Sequence, residues 1–332
     1  MSLWRKLLNV FCILVCVGCL LYVVHDDTGA VQPAVKHTSS SALLAKIQTA
    51  KEAANKPAKP VPKVAAVPKL VSPCAAGSVL DIVAHEDDDI LFMNPNLQAE
   101  IAAGMCVRTV YLTAGDDGQK IDYWRLREQG PEAAYAVMAS AANTWQPSIL
   151  TAGGASLSMQ TLASNSRISL VFMRLPDGNL NGQGFASTNY ESLQKLYSGN
   201  IASISAVDGG NTFTLQQLVG ALHDIIAATK PTIINTQAFS PALAGGDHSD
   251  HQMTGTLAVE ASRDYKLPLR INRFLGYQIG SMAPNLTYKQ SQDKQAIFNA
   301  YSQDDGMICH EQGCTTDYNQ YMTRQYEQLI KY

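Results

Sequence analysis

The chain has 332 residues, of which 46% are hydrophobic and 16% are charged, as is typical of a globular protein with a sizeable core. Its formal net charge is −3, and the body of the chain carries no dense basic stripe. Proteins that bind nucleic acid usually present such a stripe to the phosphates, so we exclude nucleic acid as a partner.

The first 25 residues carry a membrane-targeting pattern. Arg5 and Lys6 precede a predominantly apolar run over residues 7–24, which approaches the roughly 20 residues that cross a bilayer. Positive charge before such a run keeps the N-terminus in the cytoplasm and sends the rest of the chain across. No small-residue cleavage site closes the run. The pattern therefore favours a retained transmembrane anchor, with the remainder on the periplasmic or extracellular face; cleavage would give a secreted protein.

Residues 26–72 differ in composition from the segments on either side. They are rich in Ala, Lys, Pro, Ser and Val, which is typical of an extended linker. Residues 73–332 have the composition of a folded domain. We therefore expect three parts, namely an anchor over 1–25, a linker over 26–72 and a single domain over 73–332.

Short apolar runs alternate with helical patterns through this domain. The predicted strands cover residues 78–84, 107–113, 167–173, 232–237 and 270–279, and the predicted helices cover 90–104, 123–142, 215–229, 250–265 and the region from 289 onward. Such alternation predicts an α/β fold with a Rossmann-like, mostly parallel sheet and helices on both faces. In sheets of this kind the ligand binds at the carboxyl ends of the strands.

Four cysteines fall in the predicted domain, and an even number outside the cytoplasm favours disulfides. They allow three pairings. The short spacing favours Cys309 with Cys314, while Cys74 and Cys106 precede two neighbouring strands and would meet at the edge of the sheet opposite the ligand. The alternative for the "CHEQGC" segment is a metal site that uses His310.

Two segments rich in histidine and carboxylate follow predicted strands. "AHEDDDILFMNP" (84–95) follows the first strand, and "GGDHSDHQMTG" (245–255) follows the strand at 232–237. Catalytic zinc commonly takes three His or carboxylate ligands and leaves a fourth position for water. One His and one Asp from the first segment with one His from the second would supply that set. Alternatively, His85 and His251 are separate surface residues, and the three aspartates cap a helix.

The combination of "AHEDDD" with "DHSDH" resembles the LmbE-like, PIG-L-like family of zinc-dependent N-acetylglucosamine deacetylases. The resemblance implies that His85, Asp88 and His251 bind Zn²⁺. It also implies that Asp87 is the general base and that His248 assists the tetrahedral intermediate.

The resemblance extends through "LTAGDDG" (112–118) and "RLPDG" (174–178). It implies that Arg127 and Asp177 contact the sugar, although Arg125 could take the place of Arg127. The plain alternatives are a solvated helix charge for either arginine and a turn aspartate for Asp177.

Two further residues near the motifs carry expectations. Glu86 occupies the position at which the family usually has proline, and we expect it to add negative charge beside the metal. Asp250 stands between the two histidines of the second motif and is expected to orient one of them.

The resemblance implies a hydrolase that removes an N-acetyl group from a GlcNAc-containing glycan or glycoconjugate through metal-activated water. The expected partners are Zn²⁺, an N-acetylated amino sugar and, through the anchor, a membrane. Two alternatives stay open: a zinc amidase that acts on a non-sugar acyl amine, and a carbohydrate-binding relative that no longer catalyses.

Overall fold

The computed structural model describes residues 74–119, 121–239, 246–266, 268–308 and 317–331. They belong to one unit that spans 63–332. The predicted anchor and linker lie outside the described residues, as does the proposed Cys309–Cys314 bridge. In the described part of the chain, no helix combines the length and the apolar character needed to span a membrane.

An eight-stranded sheet forms the centre of this unit. The strands are β1 (Ser78–Val83), β2 (Cys106–Thr113), β3 (Trp145–Ala152), β4 (Ala155–Leu162), β5 (Ile168–Leu175), β8 (Ile233–Gln237), β9 (Arg270–Phe274) and β10 (Glu327–Lys331), and two short strands, β6 (Ile204–Ser205) and β7 (Thr212–Phe213), pair separately. Their spatial order is β10-β9-β8-β1-β2-β5-β4-β3. The five strands from β9 to β5 in that order run parallel, and β10, β4 and β3 are antiparallel additions at the two edges.

Helices cover both faces of the sheet. They are α1 (Asp88–Phe92), α2 (Asn96–Ala102), α3 (Ile121–Arg127), α4 (Gln129–Met138), α5 (Leu193–Tyr197), α6 (Leu215–Thr229), α7 (Ser249–Ser262) and α8 (Tyr288–Ser302). Residues of α1, α2, α4 and α8 pack on one face, and residues of α5, α6 and α7 pack on the other. Strand β1 serves both cores, because Val79 and Val83 point to the first face while Leu80 and Ile82 point to the second.

The predicted mostly parallel α/β fold with helices on both faces is confirmed. Several segments were predicted incorrectly, among them the strand expected over 270–279, which ends at Phe274 and is followed by a 3-10 helix, Tyr277–Ser281. The hairpin of β3 and β4 was not predicted, although Gly153 and Gly154 at its turn are a hairpin signal. The helix expected over 90–104 is divided around Pro95 into α1 and α2. The expectation that the chain stays helical after residue 289 is wrong beyond α8, since β10 completes the sheet beside β9.

The predicted bridge between Cys74 and Cys106 is confirmed, with 5.6 Å between the Cα atoms. Ser78 of β1 lies opposite Cys106, the first residue of β2, so both cysteines stand at the amino ends of parallel strands. The bridge therefore closes the edge of the sheet that is remote from the strands' carboxyl ends.

Replacing both cysteines of this bridge by Ser should lower the free energy of unfolding by about 2–4 kcal/mol, because the unfolded chain gains conformational entropy. Denaturant unfolding of the full-length protein measures the change. An unchanged midpoint in protein whose wild-type bridge is verified by non-reducing peptide mapping would contradict the prediction.

A buried polar network crosses the sheet between β1, β8 and α2. Asn235 donates from Nδ2 to Asp81 Oδ1 over 2.8 Å and to Glu100 Oε2 over 3.1 Å. Burial is the main cause that raises the pKa of Glu100 from 4.5 to about 7, and it raises the pKa of Asp81 well above its usual range. Ionising these carboxyl groups in the folded state is therefore unfavourable.

The pH dependence of stability should reveal this network. A folded-state pKa that lies above the unfolded value stabilises the protein at low pH, and this contribution is lost as the pH rises from about 4.5 to about 7. Gln at position 100 does not ionise. Glu100→Gln should therefore gain stability relative to wild type, by on the order of 1–3 kcal/mol, between pH 4.5 and pH 8. Thermal unfolding at both pH values tests this, and parallel pH profiles for the two proteins would contradict it.

Candidate metal centre and catalytic pocket

The two histidine-rich segments lie at the carboxyl edge of the sheet, as predicted. The first follows β1 and is held to both neighbouring strands: Ala84 N donates to Gln237 Oε1 over 3.0 Å, and Thr113 Oγ1 donates to Ala84 O over 2.9 Å. The second segment leads into α7, whose first turn contains His251. Their convergence follows from the parallel pairing of β1 and β8.

His85, Asp88 and His251 meet in the interior, with ligand atoms that lie within 4.8 Å of one another. Asp88 Oδ1 lies 2.9 Å from His251 Nε2, and Asp88 Oδ2 lies 3.2 Å from His85 Nδ1. The Nε2 atoms of both histidines are buried, and carboxylate oxygens lie near them: Asp88 Oδ1 is 2.9 Å from His251 Nε2, and Asp250 Oδ2 is 3.5 Å from His85 Nε2. Two imidazoles around one carboxylate form the donor set that catalytic zinc commonly uses, so these residues fit the metal.

The electrostatics of this trio are those of a cation site. Burial alone would lower the pKa of His251, but the carboxylates of Asp88 and Asp247 outweigh it and raise the pKa to about 10. Burial would raise the pKa of Asp88, yet His251 and His85 hold it well below its usual range. The site therefore stabilises positive charge, which a metal ion would supply in place of protons.

A second donor set overlaps the first. The ligand atoms of His85, Asp177, His248 and Asp250 also lie within 4.8 Å of one another. His85 Nε2 lies 3.5 Å from Asp250 Oδ2, and His248 Nε2 lies 3.7 Å from Asp177 Oδ1. Because His85 belongs to both sets, geometry alone leaves two candidate positions for a metal.

The three consecutive aspartates have three different environments. Asp87 faces Arg127, whose Nη2 donates to Asp87 Oδ1 over 2.8 Å. Asp88 lies between the two histidines of the trio. Asp89 points away, and its Oδ2 accepts hydrogen bonds from Tyr111 and Tyr135 over 2.9 and 2.6 Å. Tertiary packing thus gives each of the three carboxylates different contacts.

The partner of His251 is a residue to which neither motif assigned a role. Asp247 Oδ1 lies 2.9 Å from His251 Nδ1, one helical turn before it, and also accepts from the backbone N of Tyr277 over 3.1 Å. Such a contact fixes the ring and leaves its Nε2 for the metal. Asp250, which was expected to orient a histidine, lies 3.8 Å from His248 Nδ1 and accepts from Gly178 N over 2.7 Å. The spacing of four residues between Asp247 and His251 was a usable signal.

Arg127 is buried rather than solvated. Its Nη1 donates to Gly115 O over 2.7 Å, and its Nε donates to Tyr301 Oη over 2.9 Å. Gly115 has a φ of +49°, and a Cβ at this position would collide with the Arg127 guanidinium. Arg125, by contrast, is exposed and lies over the Trp124 ring. A sugar contact of Arg127 stays a prediction, and the structure adds its contact with Asp87.

Burial acts against the negative charge expected of Glu86. The side chain is fully buried, and this burial raises its pKa to about 8 despite Arg127, whose Nε lies 3.7 Å away. Burial thus favours the protonated carboxyl, whereas Arg127 favours the carboxylate.

A cavity of about 340 Å³, here called the catalytic pocket, opens beside the trio. Five of the predicted site residues line it, namely His85, Asp87, Arg127, Asp177 and His248. Tyr123, Tyr277 and Tyr318 also line it. Asp177 is also a turn residue, because its Oδ1 accepts from Asn179 N over 2.7 Å. The tyrosines gave no sequence signal, since they come from segments far apart in the chain.

Comparison with known proteins places these features in a family. The sequence profile of the GlcNAc-PI de-N-acetylase (PIG-L) family matches residues 80–262, which is more than half of the chain and includes both motifs. A comparison with curated protein sequences gives no significant match.

Several solved structures are similar at low sequence identity. The zinc-inhibited form of teicoplanin deacetylase Orf2 is 17% identical, with 68% of this chain and 84% of that chain covered and a TM-score of 0.40. N,N'-diacetylchitobiose deacetylase from Pyrococcus horikoshii is 15% identical, with 71% and 73% covered and a TM-score of 0.40. The 4-carboxy-2-hydroxymuconate hydratase GalB from Pseudomonas putida is 14% identical, with 68% and 83% covered and a TM-score of 0.37. These scores do not decide between the activities.

Proposed function

Since the chain belongs to the GlcNAc-PI de-N-acetylase family, we infer that this zinc-dependent N-deacetylase removes the acetyl group from an N-acetylglucosamine residue of a glycan or glycoconjugate outside the cytoplasm. The observation that carries this inference is the meeting of His85, Asp88 and His251 beside a pocket that contains Asp87. Both motifs contribute, and both fall within the family match.

The three ligands differ in the charge that they bring to the metal. His85 and His251 are neutral donors when deprotonated, and Asp88 supplies one negative charge, so a net positive charge would remain on the site. When bound, zinc lowers the pKa of a water ligand to about 7 and polarises a carbonyl oxygen. Asp247 keeps His251 in the orientation that serves this purpose.

Asp87 is placed to act as the general base. Its carboxylate lines the catalytic pocket next to the trio, and Arg127 holds one of its oxygens over 2.8 Å. The other oxygen is left to accept a proton from the attacking water and to pass it towards the departing amine. Water adds to the amide carbonyl, the C–N bond breaks, and the products are acetate and a free amino sugar.

His248 is placed to stabilise the oxyanion as a neutral ring. Burial lowers its pKa to about 4, so it is uncharged near neutral pH. Its Nδ1 accepts from Asp250 N over 3.2 Å, which leaves the proton on Nε2. That N–H group faces the catalytic pocket near Asp177 and can donate to developing negative charge.

The location outside the cytoplasm rests on two independent features. The Cys74–Cys106 bridge belongs to an oxidising compartment. The N-terminal pattern of positive charge followed by an apolar run supports export with a retained anchor and a linker over 26–72. Membrane association through the anchor is part of the proposal.

A substrate panel tests the proposed function. Full-length protein with zinc should release acetate from N-acetylglucosamine-containing sugars and leave one free amine for each acetate. Simple N-acetyl amines without a sugar serve as the comparison. Faster hydrolysis of the non-sugar amides would replace the proposal by a zinc amidase of another specificity, and sugar binding without acetate release would indicate a non-catalytic relative.

A further inference from the structure

A second and larger cavity, of about 650 Å³, lies next to the catalytic pocket and is here called the outer cavity. It is within the ~300–1,000 Å³ range of small-molecule sites. None of the proposed catalytic or metal residues lines it. The proposed deacetylation mechanism therefore does not use the residues of the outer cavity.

The two cavities share a wall made by three chain segments. Asp116, Trp124 and Pro176 line the outer cavity, and the residues beside them, Asp117, Tyr123 and Asp177, line the catalytic pocket. Asp177 N donates to Asp116 Oδ1 over 2.9 Å, which ties two of these segments together. In each of the three segments, a residue that lines the catalytic pocket is therefore the sequence neighbour of a residue that lines the outer cavity.

The far wall of the outer cavity comes from residues 187–191 and 205–207. Glu191 fixes these two segments to each other, because its Oε2 accepts from Ser205 N over 2.7 Å. On the near wall, Trp124 is buried under the Arg174 guanidinium, which lies 4.8 Å from the ring centroid. These contacts hold both walls of the cavity in place, which reduces the entropy lost on binding.

The chemistry of the lining favours a neutral ligand rich in hydroxyl groups. Ser187, Thr188, Asn189 and Gln119 supply hydroxyl and amide groups, which can both donate and accept hydrogen bonds. Two carboxylates, Asp116 and Glu191, also face it, and they would repel an anion. Among the described residues, no lysine or arginine lines the outer cavity.

We propose that the outer cavity is a sugar-binding subsite, so that the substrate is a neutral glycan of at least two residues. One residue places its N-acetyl group in the catalytic pocket, and its neighbour occupies the outer cavity. This inference rests on the proposed function and adds to it the class of group attached to the N-acetylated sugar.

Chain-length kinetics on the full-length, zinc-loaded protein test the proposal. We expect kcat/KM for the β-1,4-linked disaccharide of N-acetylglucosamine to exceed that for the monosaccharide by about tenfold or more, as two or three added hydrogen bonds would give. N-acetylglucosamine 1-phosphate is the anionic probe and should show no such gain. Equal values for the monosaccharide and the disaccharide, or preference for the phosphate, would overturn the subsite.

A bulky substitution in the outer cavity tests whether this cavity causes the preference for the disaccharide. Ser187 is exposed on the short helical turn Ala186–Thr188, so Trp at this position fills the cavity without entering the core. Ser187→Trp should lower the ratio of kcat/KM for disaccharide over monosaccharide by about tenfold, and Ser187→Ala should lower it less. The matched control is Ser166→Trp, at an exposed position before β5, which should leave the ratio unchanged. Equal losses on both substrates in Ser187→Trp would contradict the proposal.

Binding provides a readout that does not depend on turnover. Titration calorimetry of the metal-free protein with the same disaccharide should show weaker binding in Ser187→Trp than in Ser166→Trp. If no N-acetylated sugar is hydrolysed but this difference in binding holds, the proposed function fails and the subsite stands. If the monosaccharide is hydrolysed and the two variants bind the disaccharide equally, the subsite alone fails.

Discussion

Replacing Asp87 by Asn should reduce the rate of deacetylation by about 10²- to 10⁴-fold while zinc stays bound. Asn has nearly the same shape as Asp but does not accept a proton from water at neutral pH. The structure supports this separation of roles, because Asp87 contacts Arg127 and lines the catalytic pocket, whereas Asp88 contacts both histidines. Zinc content and acetate release, measured on the same preparation, give the result.

The neighbouring aspartates provide matched controls for this change. Asp88→Asn should lose zinc, since it removes the anionic ligand. Asp89→Asn changes a carboxylate that accepts from two buried tyrosines, so it should lower stability without a selective loss of the catalytic step. Zinc loss in Asp87→Asn with zinc retained in Asp88→Asn would reverse the assignment of base and ligand. A fully active Asp87→Asn protein would rule out the mechanism.

Replacing His251 by Ala should abolish stable zinc binding and, with it, activity. His251 is fully buried, and it contributes a nitrogen to one of the two overlapping donor sets. His248 belongs only to the other set, so His248→Ala should keep zinc and lose part of the activity through weaker stabilisation of the oxyanion. Elemental analysis of both variants distinguishes the two positions.

A partly buried histidine outside the site controls for the loss of an imidazole. His223 in α6 lies with its Nδ1 3.1 Å from Ala261 O, and His223→Ala should leave zinc content and activity at the wild-type level. Full zinc occupancy in His251→Ala would show that the third ligand is assigned wrongly. Zinc loss in His248→Ala would move the metal to the set that contains Asp177 and Asp250.

The sequence predicted those parts of the fold that depend on local pattern. The buried parallel strands contain short stretches of apolar and β-branched residues, so β1, β2 and β8 were recognised from the sequence. The rule that ligands bind at the carboxyl ends of strands brought both motifs to one edge. The antiparallel additions differ in how visible they are in the sequence. β3 is the largely exposed edge strand and has no clear apolar face, and β10 is defined by its pairing with β9. β4, by contrast, alternates apolar and polar residues from Ala155 to Gln160, which is a strand pattern.

Within the site, residue types were predictable and their contacts were not. A run of three aspartates does not reveal which carboxylate meets the histidines, because a turn and the start of α1 decide where each points. Arg127 reaches Asp87 only through packing of α3 against the first motif, and Tyr301 joins it from α8. Burial likewise raises the pKa of Glu86, which its position beside the motif does not indicate.

The position of bound zinc distinguishes the two overlapping donor sets. Crystals of the zinc-loaded protein, measured on both sides of the zinc absorption edge, locate the ion without reference to activity. We expect one anomalous peak within coordination distance of His85, Asp88 and His251, beside Asp87 and on the wall of the catalytic pocket. A peak bounded by Asp177, His248 and Asp250, or no peak at either position in zinc-loaded protein, would contradict it.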